Sequence, residues 1–300
     1  MSRIERRLEP RPQGQGKLDF ERWPHVERDP RVKTAILAAL VAGHRLNRVF
    51  DTVFPTWVQG DKSEYTPYDA RAEKIASWVI KRYDSSALIL GEDISPNENV
   101  EGENFWTIDG IDGTTNFARR IPVCNHTLAC VEQGRTRIGV VFDFLNNGLY
   151  YAVEGGGAYL NGQPIHVTER PFSESVITFA PLLDVRKGKG ATERLEVEAV
   201  WAGMKEISES SRRFPREFQS GGLELAWVGS GKLDGYVSSW TNPWDLSAGA
   251  LLVQEAGGIA TNIFGDPWRP GYYGVIAGSR TVHPEMLAIL NRRRLALEEA

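Results

Sequence analysis

The sequence predicts an α/β protein, and three observations carry that reading. Short apolar runs at residues 87–90 and 105–108 follow segments with helical spacing, a series of strand-like runs divided by turn signals fills the middle of the chain, and strands alternate with helices again after residue 176. A chain of 300 residues is long enough for one large domain or two intimately packed ones with an unstapled core.

In order along the chain, residues 1–28 mix charge with Pro, Gly and Gln, contain no apolar block of signal-peptide length, and read as a flexible arm. From Asp29-Pro30 to about Phe54, the apolar residues Ile36, Leu37, Leu40, Val41, Leu46 and Phe50 keep helical spacing and give a first long helix. His44 within it has no second histidine at ligand spacing and reads as a packing or surface residue. The polar stretch 60–67 leads into a second helix, with Thr66 as cap and Pro67 at the first helical position, running to about Tyr83. Asp69 falls in its first turn, where a carboxylate favours the helix dipole whatever else it does. Residues 87–90 form a buried strand followed at once by Gly91-Glu92-Asp93, and a second buried strand ends at Asp109.

After Pro122 the runs 127–131, 138–142, 149–153 and 165–167 are separated by Gln133-Gly134, Asn146-Asn147-Gly148, Gly155-Gly156-Gly157 and Asn161-Gly162, which fits an antiparallel meander. No Lys-Ser/Thr pair follows Gly155–Gly157, so this is a turn and not a nucleotide cradle. A strand at 176–179 opens the second half, followed by a charged helix over 192–206. The basic residues of that helix, with Arg212, Arg213 and Arg216, read as a solvated face. A helix over 219–231 and a strand over 233–238 come next. Asn242-Pro243-Trp244-Asp245 then opens a helix stopped by Gly257-Gly258, with Asp245 an acid in its first turn. A last strand at 275–277 and a closing helix over 283–299 complete the chain.

Charge and composition exclude several classes of function. With 35 basic against 39 acidic residues, the net charge of -4 gives no global attraction to nucleic acid or to an anionic membrane. No stretch approaches the roughly twenty apolar residues of a membrane span. Cys124 and Cys130 make neither a disulfide framework nor a zinc site and read as reduced core residues. The expectation is a soluble cytoplasmic protein with neither nucleic acid nor membrane as partner.

The chemistry concentrates in Trp106-Thr-Ile-Asp109-Gly-Ile-Asp112-Gly-Thr114-Thr-Asn116-Phe117, where a buried strand delivers two carboxylates into a Gly-rich turn. Glu92, at the end of the preceding strand, can reach the same spot, and acids in such a place are costly unless solvated, paired or holding a metal. The amides of Gly113 and Thr114, at the start of a helix or turn, can point at an anion. Hard oxygen ligands favour Mg²⁺ or Mn²⁺ over zinc, and metal beside phosphate suggests phosphoryl transfer to water.

Together with Gly91-Glu92, Trp244-Asp245-x-x-Ala248-Gly249 and Glu255-Ala-Gly-Gly258, this stretch resembles the inositol monophosphatase family over roughly residues 30–290. The resemblance implies a layered αβαβα sandwich of two tightly packed halves, residues 29–180 carrying most ligands and 181–300 carrying Asp245. It further implies Glu92, Asp109, the carbonyl of Ile111, Asp112 and Asp245 as metal ligands for two or three Mg²⁺ ions, with Mn²⁺ as a substitute. Asp69, matching the family's Thr-x-x-Asp element with Thr66, would orient the Thr114 hydroxyl. Glu92 and Thr114 would position or deprotonate a metal-activated water for in-line attack on a phosphomonoester, and Asp112, Gly113, Thr114, Gly221 and Ser238 would contact substrate. The implied protein is a phosphoric monoester hydrolase and a homodimer.

Three departures bear on substrate. Gly110 stands where the family has Pro, Gln219-Ser220-Gly221-Gly222 where it has Gly-Ser-Ala-Ala, and Ser238 where a Glu commonly contacts a substrate hydroxyl. Ser lacks the charged acceptor that Glu offers a polyol. The loop before Asp69 is also short, and Lys62 aligns only ambiguously with the lysine of an optional third metal site. These departures bear on the choice of substrate and not on phosphatase chemistry, and the substrate the resemblance implies is inositol monophosphate or a related sugar or cyclitol phosphate. Histidinol phosphate, fructose 1,6-bisphosphate and adenosine 3′,5′-bisphosphate are alternatives within the same chemistry. A non-catalytic phospho-ligand-binding relative and a two-metal nucleic-acid enzyme are readings of other classes.

Overall fold

In the computed structural model, the described residues are 20–52, 56–58, 64–94, 104–180, 191–214, 216–239 and 241–299. After a 3₁₀ turn at Phe20–Arg22, the first half runs α1 (Pro30–Val49), β1 (Trp57–Val58), β2 (Glu64–Tyr65), α2 (Asp69–Tyr83), β3 (Leu88–Gly91), β4 (Phe105–Asp112) and α3 (Thr114–Arg119). It continues through β5 (Asn125–Glu132), β6 (Arg135–Asp143), β7 (Gly148–Val153), β8 (Gly157–Leu160) and β9 (Gln163–Pro164). The second half comprises β10 (Ile177–Ala180), α4 (Ala191–Ser210), α5 (Gly221–Gly229), β11 (Gly235–Ser239), α6 (Pro243–Glu255), β12 (Ile259–Thr261), β13 (Gly274–Gly278) and α7 (His283–Glu298).

A seven-stranded sheet, ordered β3-β4-β5-β6-β7-β8-β9, and a four-stranded sheet, ordered β10-β11-β13-β12, form two of the layers. Helices α1 and α2 cover the outer face of the larger sheet, α5 and α6 fill the space between the sheets, and α4 and α7 cover the outer face of the smaller one. This is the αβαβα sandwich the resemblance implies. β4, lying second from the edge of its sheet, is buried along its whole length. That explains why it reads as a continuous apolar run in which polar residues stand out.

Several boundaries differ from the sequence reading for identifiable reasons. α1 stops at Val49, short of Phe54, and Phe50 caps it. α2 begins at Asp69, not at Pro67: residues 67 and 68 form a turn, across which the Thr66 hydroxyl accepts the Tyr68 amide at 3.2 Å and donates to the Asp69 carboxylate. β4 does not end at Asp109 but continues to Asp112. Residues 165–167 are not a strand: the meander's fourth strand is Gly157–Leu160, set by the left-handed turn residues Gly155, Asn161 and Gly162 on either side. The short strand β12 carries no periodic signal and goes unread in the sequence. β10 belongs to the second sheet, so the two large sheets divide the strands between β9 and β10.

Residues 20–28, read as part of a loose arm, pack on the β7–β8 hairpin. Trp23 stacks on Tyr151 at 5.8 Å, Tyr151 stacks on Tyr159 at 5.0 Å, and His25 bonds the Gly156 carbonyl at 2.9 Å. The rest of that arm, residues 1–19, and Lys62 lie outside the described residues. Cys124 and Cys130 are buried free thiols. Among the described residues no helix is long and apolar enough to cross a membrane.

Candidate active site

The site is assembled at the C-terminal ends of β3 and β4. Their parallel register pairs Gly91 with Ile108, so Glu92 leaves β3 beside Asp109. On the other side of β4, Asp109 pairs with Thr127 and Asp112 with Asn125, three steps on one strand against two on its neighbour. Residues three apart in a regular strand point to opposite faces, and the extra residue of this bulge removes one alternation, which allows both carboxylates to serve one site. The Asp109 carboxylate accepts the Ile111 amide proton at 2.9 Å and stiffens the bulge. Gly110 lies under the first residue of α2: a Cβ there would stand 2.3 Å from the Asp69 carbonyl oxygen. Gly110, which stands where the family has Pro, is here a point of close backbone approach.

That contact brings Asp69 to the bulge. One of its carboxylate oxygens accepts the Thr114 hydroxyl at 2.8 Å, and the other accepts the Thr66 amide at 3.0 Å together with the Thr66 hydroxyl. Burial pushes the Asp69 carboxyl up to about 6, against the pull of the Thr66 and Thr114 hydrogen bonds. The Thr114 hydroxyl also lies 2.9 Å from the Ile111 carbonyl oxygen. It has one proton for two acceptors, so whatever engages the Ile111 carbonyl turns that proton toward Asp69. Gly113 and Thr114 are the N-cap and first residue of α3, with Gly113 at φ 91°, and their amides precede the helix's own hydrogen bonds.

Asp112 is held by the second half of the chain. One oxygen accepts the Gly221 amide at 3.1 Å, and the other accepts the Gly222 amide at 2.8 Å, the Ser220 hydroxyl at 3.3 Å and the Asn125 side-chain amide. Asp112 thereby caps the N-terminus of α5 from a distant segment. The oxygen with a single donor retains a lone pair for another partner. Burial raises this carboxyl to about 6, while its donors, Asn125 foremost, oppose the rise.

Asp245, in the first turn of α6, lies against Asp109. Removal from water and then mutual repulsion among Asp109, Asp112, Asp245 and Glu92 push Asp109 and Asp245 well above the usual carboxylate range. Among the described residues, no three Asp, Glu, His or Cys side chains close tightly enough to form a finished cage. The carboxylates flank a common region, and an all-oxygen set whose members repel one another fits a hard divalent cation that takes its remaining ligands from water and substrate. Glu92, Asp109, Asp112, Asp245 and the Ile111 carbonyl are the groups that could hold it.

Gly221 and Ser238, the remaining expected substrate contacts, have partners and surroundings of their own. The Gly221 amide is taken by Asp112, and a Cβ at Gly221 would meet the Tyr236 hydroxyl at 2.9 Å. Ser238, in β11, lines a cavity of about 200 Å³ with Glu196 of α4 and with Asn262, Tyr272 and Tyr273 of the β12–β13 connection. Sequence reasoning missed Asn125 and His126, although a polar pair inside a buried run was the available signal. His126 Nδ1 donates to the Gly110 carbonyl at 3.0 Å, and burial lowers its pKa to about 4, so the ring is neutral and braces the bulge.

The profile of the inositol monophosphatase family matches residues 27–295. A fructose-1,6-bisphosphatase/inositol-1-monophosphatase of Thermotoga maritima is 31% identical over 234 residues, covering 77% of this chain and 84% of that protein. The Nus factor SuhB of Escherichia coli is 31% identical over 264 residues, covering 86% and 95%. The solved structure of a Thermotoga maritima IMPase superposes with a TM-score of 0.76 at 28% identity, covering 90% of this chain and 99% of that one.

Proposed function

The chain belongs to the inositol monophosphatase family, and on that footing we propose that it is a Mg²⁺-dependent phosphomonoesterase acting on a small hydroxylated phosphate ester. The observation that carries the reading is the Thr114 hydroxyl, held between Asp69 and the Ile111 carbonyl at the edge of the Glu92, Asp109, Asp112 and Asp245 carboxylates. Two or three Mg²⁺ ions, or Mn²⁺ in their place, would neutralise phosphate oxygens and acidify the attacking water. The chain supplies orientation. With the Ile111 carbonyl engaged, the Thr114 hydroxyl donates to Asp69 and its oxygen can accept a hydrogen bond from the attacking water, which would fix the direction of attack. Glu92, exposed at the end of β3, is the carboxylate that would take the proton the water loses as it attacks. The amides of Gly113 and Thr114 receive the phosphate oxygens as charge develops on them.

Inositol monophosphate or a related sugar or cyclitol phosphate is the substrate class, in keeping with the name of the Thermotoga maritima relative. Histidinol phosphate, fructose 1,6-bisphosphate and adenosine 3′,5′-bisphosphate belong in the same test. Phosphate release from this panel, with and without Mg²⁺, decides among them. The Escherichia coli relative, named a Nus factor, supports a second reading in which the chain acts by binding. Metal-loaded protein that hydrolyses no member of the panel would favour that reading.

A further inference from the structure

Helix α2 presents two buried carboxylates one turn apart on the same face, Asp69 and Glu73, with relative exposures of 6% and 0%. Asp69 grips the Thr114 turn. Glu73 grips the segment leaving β3: its carboxylate accepts the Asp93 amide at 3.2 Å on both oxygens and the Ile94 amide at 3.0 Å. The fit is close, since a Cβ at Gly91 would stand 2.8 Å from the nearer Glu73 oxygen and 2.9 Å from the Ile108 carbonyl oxygen. Glu92 lies between these two fixed points. Gly91 is held on one side by pairing with Ile108, and Asp93 on the other by Glu73.

We infer that Glu73 is a positioning residue that sets the direction in which Glu92 leaves β3, and with it the affinity of the carboxylate site for its divalent ion. A buried carboxylate is a costly way to fill space, and an apolar side chain of the same size would serve packing better. What Glu73 adds is a fixed orientation for the two amides that follow Glu92. The inference rests on the reading of the site as one that binds divalent metal.

The test is direct Mn²⁺ binding, followed by electron paramagnetic resonance, to the full chain and to Glu73→Ala, Glu73→Gln, Glu92→Gln and the double variant Glu73→Ala/Glu92→Gln. Melting temperatures and phosphate release at varied Mg²⁺ are read alongside. Glu73→Ala is expected to weaken Mn²⁺ binding roughly 10–100-fold. Glu73→Gln, which keeps the volume and one acceptor oxygen, should recover part of that loss. In the Glu92→Gln background, Glu73→Ala should add little, because it acts through Glu92. Raising Mg²⁺ should restore most of kcat in Glu73→Ala, with KM for the phosphate ester little changed. Variants that melt earlier yet bind Mn²⁺ as the parent does, or losses that add in full in the double variant, would overturn the inference alone. A parent chain that binds no Mn²⁺ would overturn it together with the phosphatase reading.

Discussion

Gly110 is the residue on which the geometry of the site turns. A methyl group there would meet both the oxygen and the carbon of the Asp69 carbonyl, at 2.3 and 2.9 Å, and neither is free to move without shifting the start of α2. Gly110→Ala is expected to cost about 1–3 kcal/mol of stability and to lower kcat roughly ten-fold or more, because Asp69 and Thr114 move with that backbone. Chemical denaturation and steady-state kinetics check this, and unchanged values for both would contradict the contact. At this scale the sequence was informative where chemistry was out of place. Asp109, Asp112 and Glu92 stand out because acids at the ends of buried strands need a reason. Gly110 did not reveal its role, since one glycine looks alike whether it provides freedom or permits contact.

Helix α5 shows at the scale of an element how the two halves are joined. Its first amides are satisfied by Asp112 from β4, and the Ser220 amide by the Glu224 carboxylate at 3.2 Å. Gly221 is small because the Tyr236 hydroxyl occupies the space of a side chain. Gly221→Ala alone is therefore expected to destabilise by about 1–3 kcal/mol, whereas in a Tyr236→Phe background most of that cost should disappear. Denaturation of the four species of this cycle measures the coupling, and strictly additive effects would contradict the contact. Elements with strong periodicity, such as α1 and α2, were legible to within a few residues, and the β5–β7 meander was marked by its turns. The bulge in β4 was not legible, because its register depends on Asn125 and Thr127 in the next strand. The start of α2 was placed two residues early: Thr66 accepts the Tyr68 amide at 3.2 Å and its own amide bonds the Asp69 carboxylate at 3.0 Å, a local capping arrangement that holds residues 67 and 68 as a turn before the helix.

Across the whole molecule, both sheets and the helices between them must be in place before Asp245 and the α5 amides meet the acids of β4. Stability and ionisation are linked accordingly. Burial pushes Glu73 and Glu224 up to about 8 from an ordinary 4.5. Above pH 6.5 an unfolded chain has released these protons while the folded chain still holds them, so stability falls as pH rises toward 8, by up to roughly 1 kcal/mol per pH unit for each group. His126 and His283, lowered from 6.5 to about 4 by burial, act in the opposite sense and only below pH 6.5, where the unfolded chain takes up protons that the folded chain refuses. Melting temperatures in chelator should therefore drop from pH 6.5 to 8, and a rise would contradict the burial of these carboxyls. The central claim, that one carboxylate site binds metal and hydrolyses a phosphomonoester, is tested most directly by phosphate release from inositol monophosphate and the substrate panel. The assay is run with and without Mg²⁺, for the parent chain beside Asp109→Asn. The account predicts release that requires Mg²⁺ and falls roughly 100-fold or more in the variant. Hydrolysis indifferent to the metal or to Asp109 would contradict it.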